Sequence, residues 1–233
     1  MIRIFTVKLD HILLSFALFA AYGFSATGCV DIGPEDLDAT TIPTIIIAET
    51  PDLAYGGTLR LASREAPSHF DIHFDGSPAL STWGPGLVYG RLLRFTTSPD
   101  LRLPSLAVEC ELCRRWVMHD DRTFLFELRN GVQWHDSSLV GGRSLNAEDL
   151  VFSYERQNTP GAPNVGLLAS VNSVVAETEL SVRFELAAPD ADFMIGLADA
   201  RSKIVAAEAV KVNGNLRSDP VVGVGSWKLA NNT

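Results

Sequence analysis

Positive charge is in short supply in this sequence. Its 233 residues hold 19 lysines and arginines against 28 aspartates and glutamates, a formal net charge of −9. Nucleic-acid binders concentrate Lys and Arg on one face, so this balance argues against a nucleic-acid partner. Nucleotide signatures are missing too: there is no P-loop, and no G-x-G-x-x-G follows a strand-like run. Serine hydrolysis through a G-x-S-x-G elbow lacks its motif, because the nearest stretch, Gly223-Val224-Gly225-Ser226-Trp227, has no final glycine. No internal repeat is visible. No apolar run reaches the roughly 20 residues a membrane-spanning helix needs. Positive evidence for catalysis is absent, and no cofactor motif is present.

What is present begins with an unusual N-terminus. Arg3 and Lys8 precede a short apolar run, Ile12 to Ala21, followed by small residues, Ser25-Ala26-Thr27-Gly28. A basic region, a short apolar core and a small-residue site describe a secretory signal peptide over residues 1–28. A buried N-terminal helix is the competing assignment. Ala26-Thr27-Gly28-Cys29 resembles the bacterial lipobox, in which cleavage leaves a lipid-bearing cysteine at the new N-terminus. Two or three acyl chains, each contributing about 0.8 kcal/mol per buried methylene, would hold Cys29 to a membrane. A plain secreted protein with an incidental Cys29 is the alternative. Residues 29–54 are rich in Asp, Thr and Pro, with one apolar patch at Ile45-Ile46-Ile47. They are expected to form an acidic tether, leaving 55–233 as the folded part.

With 46% hydrophobic and 20% charged residues, the chain has the balance of a globular protein. Alternation over Thr58 to Ala62 predicts a first strand, and Ser63 to Pro78 reads as a polar loop. Apolar positions between Leu80 and Leu93 predict a helix with Pro85 in its first turn. Alternation from Arg122 to His135, interrupted by Asn130-Gly131, predicts a β-hairpin turning on that dipeptide. Asn146-Ala147-Glu148-Asp149 predicts a capped helix to about Gln157, with Leu150, Val151 and Tyr154 buried. Strands are expected at 171–176 and 181–186, and helices at 192–198 and 206–212. Interspersed strands and helices without strict alternation favour a mixed α/β (α+β) domain over a parallel barrel.

Several segments, in order, resemble the extracytoplasmic solute-binding proteins, family 5, of peptide and nickel ABC importers. Gly56-Gly57-Thr58-Leu59-Arg60 is similar to that family's G-G-T-L start. Phe70-Asp71-Ile72-His73 is similar to its L-D-P-H, with Ile72 replacing proline. Tyr89 to Leu93 stands where the family has Y-x-G-L-L, with the glycine displaced. Pro104 to Ala107 with Trp116 resembles P-x-L-A-x-x-W at longer spacing. Leu128 to Asp136 and Asn146 to Arg156 follow L-R-x-G-V-x-F-H-D-G and T-A-E-D-V, and Val222 to Leu229 resembles V-G-T-G-P-Y-x-L.

The resemblance implies a periplasmic-binding-protein type II clamshell, here the first lobe with its inserted subdomain and without the second lobe. It implies a monomer that captures a peptide or other small solute, delivers it to ABC permease subunits, and stays at the membrane through a lipid anchor in the periplasm or outside the cytoplasmic membrane. By family position, Arg64, Glu65, Ala66 and Pro67 face the ligand cleft, as do Trp83 and the turn Gly225-Ser226-Trp227. Arg64 would face a ligand carboxylate and Glu65 a ligand amine; an exposed surface pair is the bland alternative. Buried tryptophan is more often core than ligand platform.

Two constellations keep another class open, an extracytoplasmic metal-dependent or thiol-redox enzyme. His69 and His73 are four apart with Asp71 and Asp75 nearby, but no Glu follows His69 as H-E-x-x-H requires, and the context predicts a loop. Cys110 and Cys113 form C-x-x-C, half a zinc site at best; outside the cytoplasm, a local disulfide and two free thiols both remain open. A truncated product without ligand binding is a third possibility.

Overall fold

Aromatic side chains at alternate positions build the centre of this protein. The computed structural model describes residue 58, residues 65–82 and residues 84–229. The expected secretory segment, Cys29, the expected tether, the strand expected after Thr58, Arg64 and Trp83 lie outside them. All the described residues but Thr58 fall in one unit, 59–233. In chain order the elements are α1 (Pro78–Ser81), a 3-10 turn (Gly84–Leu87), β1 (Leu93–Phe95), β2 (Val108–Cys110), β3 (Cys113–Met118), β4 (Thr123–Leu128), α2 (Ala147–Gln157), a 3-10 turn (Val165–Leu168), β5 (Val171–Thr178), β6 (Ser181–Leu186), α3 (Phe193–Ala198) and α4 (Ala207–Asn213).

Strands β1 and β2 pair as a small antiparallel sheet, and the other four form an antiparallel sheet in the order β3-β4-β6-β5. Alternation places Phe124, Phe126 and Leu128 of β4 on one face, opposite Phe184 and Val182 of β6. Phe184 is ringed by Phe126, Tyr154 and Phe193, with centroids 5.4, 5.2 and 5.4 Å away. Each aromatic pair adds about 1 kcal/mol to the area that it buries. Helix α2 lies on this face and buries Ala147, Leu150, Ser153, Tyr154 and Gln157, one helical stripe.

The N-terminus of α2 is closed by a capping box. The Asn146 side chain accepts from the Asp149 N–H at 3.2 Å, and Asp149 Oδ2 accepts from the Asn146 N–H at 3.0 Å. Buried Asp149 does more than cap. It accepts from Trp134 Nε1 at 3.1 Å and from both Arg143 terminal nitrogens at 2.8 and 2.6 Å. Arg143 also reaches Glu208 at 2.8 Å and stands over the Trp134 ring. These two carboxylates hold the guanidinium well above its usual pKa.

Three expectations need correction. The helix over 80–93 does not form: the chain makes a single α turn, then a 3-10 turn, then a strand. Gly84 takes a left-handed conformation (φ +54°), and Gly86 lies so close to the carbonyl oxygens of Leu80 and Ser81 that a side-chain carbon would collide with them. The hairpin over Arg122 to His135 is also not made. The Asn130-Gly131 turn exists, with Gly131 at φ +77°, but the flank of β4 is already taken by β6. Val132 to Trp134 pairs instead with Arg143 to Leu145. The true hairpin partner of β4 is β3, which exposes five of its six residues and so lacks an alternating pattern. Finally, the loop expected as polar is partly core: Phe70, Asp71, Ile72 and His73 are all buried. Among the described residues, no helix is long and apolar enough to cross a membrane.

Removing the Asp149 carboxylate leaves the half-buried Arg143 guanidinium with Glu208 alone, takes the acceptor from buried Trp134 Nε1 and breaks the returning half of the capping box. Asp149→Ala is expected to cost about 2–4 kcal/mol. Chemical denaturation monitored by circular dichroism measures this, and a loss below 1 kcal/mol would assign the cluster a minor role.

Candidate functional site

The expected cleft residues at the C-terminal end emerge from a tight backbone crossing. Gly223 and Gly225 lie against the carbonyl groups of Leu87 and Val88, so close that no side-chain carbon fits at either position. The Gly225 N–H donates to the Val88 carbonyl at 2.8 Å. From the other side, His135 clamps the same thread: its N–H donates to the Gly223 carbonyl at 2.9 Å, and its Nε2 to the Gly225 carbonyl at 2.7 Å. His135 is itself placed by Trp134, which is anchored on Asp149. The thread is thus held between two strips of backbone, and Ser226 and Trp227 leave it exposed. Trp227 is 58% exposed and Leu87 is 37% exposed. This corner presents an aromatic and an aliphatic surface on a rigid base, which suits apolar parts of a small ligand.

A second constellation ties the other expected cleft segment to the corner. Glu65 and Ala66 are exposed and Pro67 is half-buried, on the stretch leading into the buried Phe70–His73 loop. Tyr89, beneath the glycine thread, donates from its hydroxyl to the Phe70 carbonyl at 3.2 Å. Asp71 makes a two-point ion pair with Arg156 of α2, at 2.9 and 2.6 Å, and accepts from the Leu216 N–H at 3.0 Å. Burial pushes the Asp71 carboxyl up, but Arg156 and the Leu216 N–H outweigh it and hold the pKa below its usual value. Asn164 donates to the carbonyls of Ile72, His73 and Asp75 and fixes the loop's course.

The two histidines that kept a metal alternative open are engaged separately. His69 accepts from the Asp71 N–H through Nδ1 at 3.2 Å. His73 is fully buried and donates from Nε2 to the Lys203 carbonyl at 2.8 Å. Burial lowers the His73 pKa to about 4. Lys203 donates from Nζ to the Tyr89 carbonyl at 3.3 Å, and its burial, helped by the Arg91 charge, lowers its pKa to about 8. These groups stitch three segments together beneath the corner. Nothing in the sequence marked Lys203 for this role; His135 read as a structural hydrogen-bonding group, and Arg156 closes the family-like block that begins at Asn146.

Cys110 and Cys113 are joined by a disulfide with Cα atoms 5.0 Å apart, at the passage from the small sheet into the larger one. It lies within the framework: Cys113 is buried, and Arg129 braces the intervening loop through its N–H to the Leu112 carbonyl and its Nε to the Glu111 carbonyl, both at 2.9 Å. Hollows of about 370 and 410 Å³ open around Asn130 and Leu180 at one end of the sheet, and neither is lined by an expected cleft residue.

Residues 103–233, more than half of the chain, match the family described as bacterial extracellular solute-binding proteins, family 5 Middle. The chain is 32% identical to the dipeptide-binding protein of Escherichia coli K12 over 165 residues, which is 65% of this chain and 30% of that protein. The binding protein MoaA of A. tumefaciens R10, solved in complex with mannopinic acid, is 26% identical with a TM-score of 0.59; the likeness covers 69% of this chain and 31% of that one. A dipeptide-binding protein from Pseudoalteromonas sp. SM9913, solved with Met-Leu, shares the fold at 22% identity and a TM-score of 0.60, over 72% of this chain and 36% of that one. The chain therefore spans about a third of the length of these relatives.

The buried His73 predicts an acid-sensitive framework. Above pH 6.5 the imidazole is neutral whether folded or unfolded and adds no pH dependence. As pH falls from 6.5 to about 4, the unfolded chain takes up a proton that the folded one resists. Stability should drop by about 3 kcal/mol across that window. The Asp71 contribution, present above pH 3.8, is lost as pH falls further. Denaturation midpoints measured from pH 7 to 4 should fall steeply for the native chain and less for His73→Gln; parallel slopes would exclude this origin.

Proposed function

As this chain belongs to the bacterial extracellular solute-binding proteins of family 5, we propose that it forms one wall of a solute receptor acting outside the cytoplasm. On this reading it binds its solute without transforming it. The observation that carries the proposal is the glycine thread: the matched segment holds Gly223 and Gly225 locked between Leu87–Val88 and His135, and delivers Trp227 to the surface. Such a base is preorganised, so a ligand placed on it costs little further ordering. Gly225, Ser226 and Trp227 make up this part of the ligand wall, with Glu65, Ala66 and Pro67 on a neighbouring stretch and Arg64 and Trp83 completing it.

Peptides are the favoured solute class, in keeping with the dipeptide-binding relatives. Trp227 and Leu87 suit apolar peptide side chains, while Arg64 and Glu65 supply opposite charges for the termini. Delivery to an ABC permease and anchoring through a lipid on Cys29 complete the reading. A tethered receptor is confined near its permease, which raises its effective concentration there.

Thermal shift against a panel of di- to tetrapeptides tests this. Ligand at a hundred times its Kd adds about 2.7 kcal/mol to stability, a rise of roughly 5–10 °C for a unit of this size. Trp227→Ala should weaken the best ligand about tenfold by calorimetry. Absence of any shift at millimolar peptide would remove the peptide assignment, and an unchanged affinity in the Trp227 variant would remove the corner from the site.

A further inference from the structure

The Cys110–Cys113 disulfide encloses two residues, Glu111 and Leu112, between the end of β2 and the start of β3. A bridge across so short a loop constrains the unfolded chain little. What it can fix is the direction of the two side chains it encloses. Both are aimed at the segment on which the glycine thread lies.

Glu111 accepts the Arg91 N–H at 3.1 Å on one carboxylate oxygen and the Arg91 Nε at 3.0 Å on the other. Arg91 in turn donates from its guanidinium to the Ala198 carbonyl at 3.0 Å. The loop backbone follows the same line: the Glu111 N–H donates to the Leu92 carbonyl at 3.0 Å, and the Leu112 N–H to the Arg91 carbonyl at 3.2 Å. The Leu112 side chain is buried and presses on Gly90. A side-chain carbon on Gly90 would lie 2.8 Å from Val224 Cγ2 and 3.2 Å from Leu112 Cδ1. Gly90 is thus the gap where the disulfide loop and the glycine thread meet, because Val224 stands between Gly223 and Gly225. Leucine on one flank and valine on the other grip a single strip of backbone.

We propose that the disulfide is a redox latch for the Trp227 corner, an inference that rests on the corner being the ligand wall. Closed, it holds Leu112 and Glu111 as positioning residues against Gly90 and Arg91. Opened, it lets the thread loosen, and the wall loses its rigid base. Cys113 is buried and Cys110 is half-buried, so an incoming dithiol meets Cys110 first. Its thiolate attacks the Cys110 sulfur, the S–S bond breaks, and Cys113 leaves as a thiolate that takes up a proton. The second thiol of the reagent, deprotonated, then displaces Cys110, which is protonated in turn. The chain gains two electrons and two protons as two thiols, and the reagent ends as a disulfide. Because coupling between sites is reciprocal, a solute that needs the closed corner also makes the disulfide harder to reduce.

Hydrogen exchange of the full chain, followed by NMR before and after dithiothreitol, tests the latch. A Cys29→Ser background leaves Cys110 and Cys113 as the only cysteines, and titration of two thiols per chain verifies reduction. Reduction should speed exchange of the Gly225 N–H, which donates to Val88, about tenfold, with the amides between β4 and β6 unchanged. A Cys110→Ser/Cys113→Ser variant should match the reduced chain. Oxidised Leu112→Ala should already exchange near the reduced rate and gain little on reduction, whereas Leu112→Met, close in volume, should keep the native difference. General loss of stability would not give that coupling. The tightest of the di- to tetrapeptides should lose about tenfold in affinity on reduction. An unchanged Gly225 rate in the fully reduced chain, equal acceleration of the β4–β6 amides, or a peptide affinity indifferent to reduction overturns the proposal. If no peptide binds in either state, the Gly225 rate still decides the latch, and the peptide assignment alone falls.

Discussion

Helix α2 is clamped at both ends by ion pairs of buried carboxylates, and the rest of the described structure hangs from those clamps. At its start, Asp149 gathers Arg143, Trp134 and the cap; near its end, Arg156 holds Asp71. A buried charge is costly unless fully paired, so each carboxylate fixes its partners more sharply than apolar packing would. The first clamp sets Trp134, hence His135, hence one side of the glycine thread. The second sets the Phe70–His73 loop, to which Tyr89 bonds from below the other side. Two clamps on one helix therefore converge on one surface corner.

The aromatic core explains why the helix can serve this way. Phe184 sits among Phe126, Tyr154 and Phe193, so α2 is packed on the sheet through a side chain from its own middle. Its ends are left to carry the polar clamps, and the buried stripe between them resists rotation. Rigidity of this kind is what a ligand wall needs, because a loose wall spends binding energy on its own ordering.

The sequence showed best what local chemistry alone decides. Asn146 as a cap, with Glu148 and Asp149 in the first turn, announced α2 from four adjacent residues, and strands β5 and β6 fall where strands were expected. Strand β3 was invisible because its exposed side chains follow no period. The hairpin was misjudged for a related reason: Asn130-Gly131 does turn, but which strand fills the flank of β4 depends on β6, more than fifty residues away. The 80–93 helix failed on a backbone approach at Gly86 that only the folded chain contains. At the proposed site, Gly225, Ser226 and Trp227 were singled out through a family-like pattern. His135 read as a hydrogen-bonding group, but its partner Gly225 was not legible, since a bond between residues 90 apart leaves no local trace.

The account rests on the corner being where a solute meets this chain. Hydrogen exchange of the protein, with and without a saturating peptide, tests that directly. Added protection should concentrate at residues 87–90 and 222–228, with little change around the hollows at Asn130 and Leu180. Protection confined to those hollows, with the glycine thread unchanged, would contradict it.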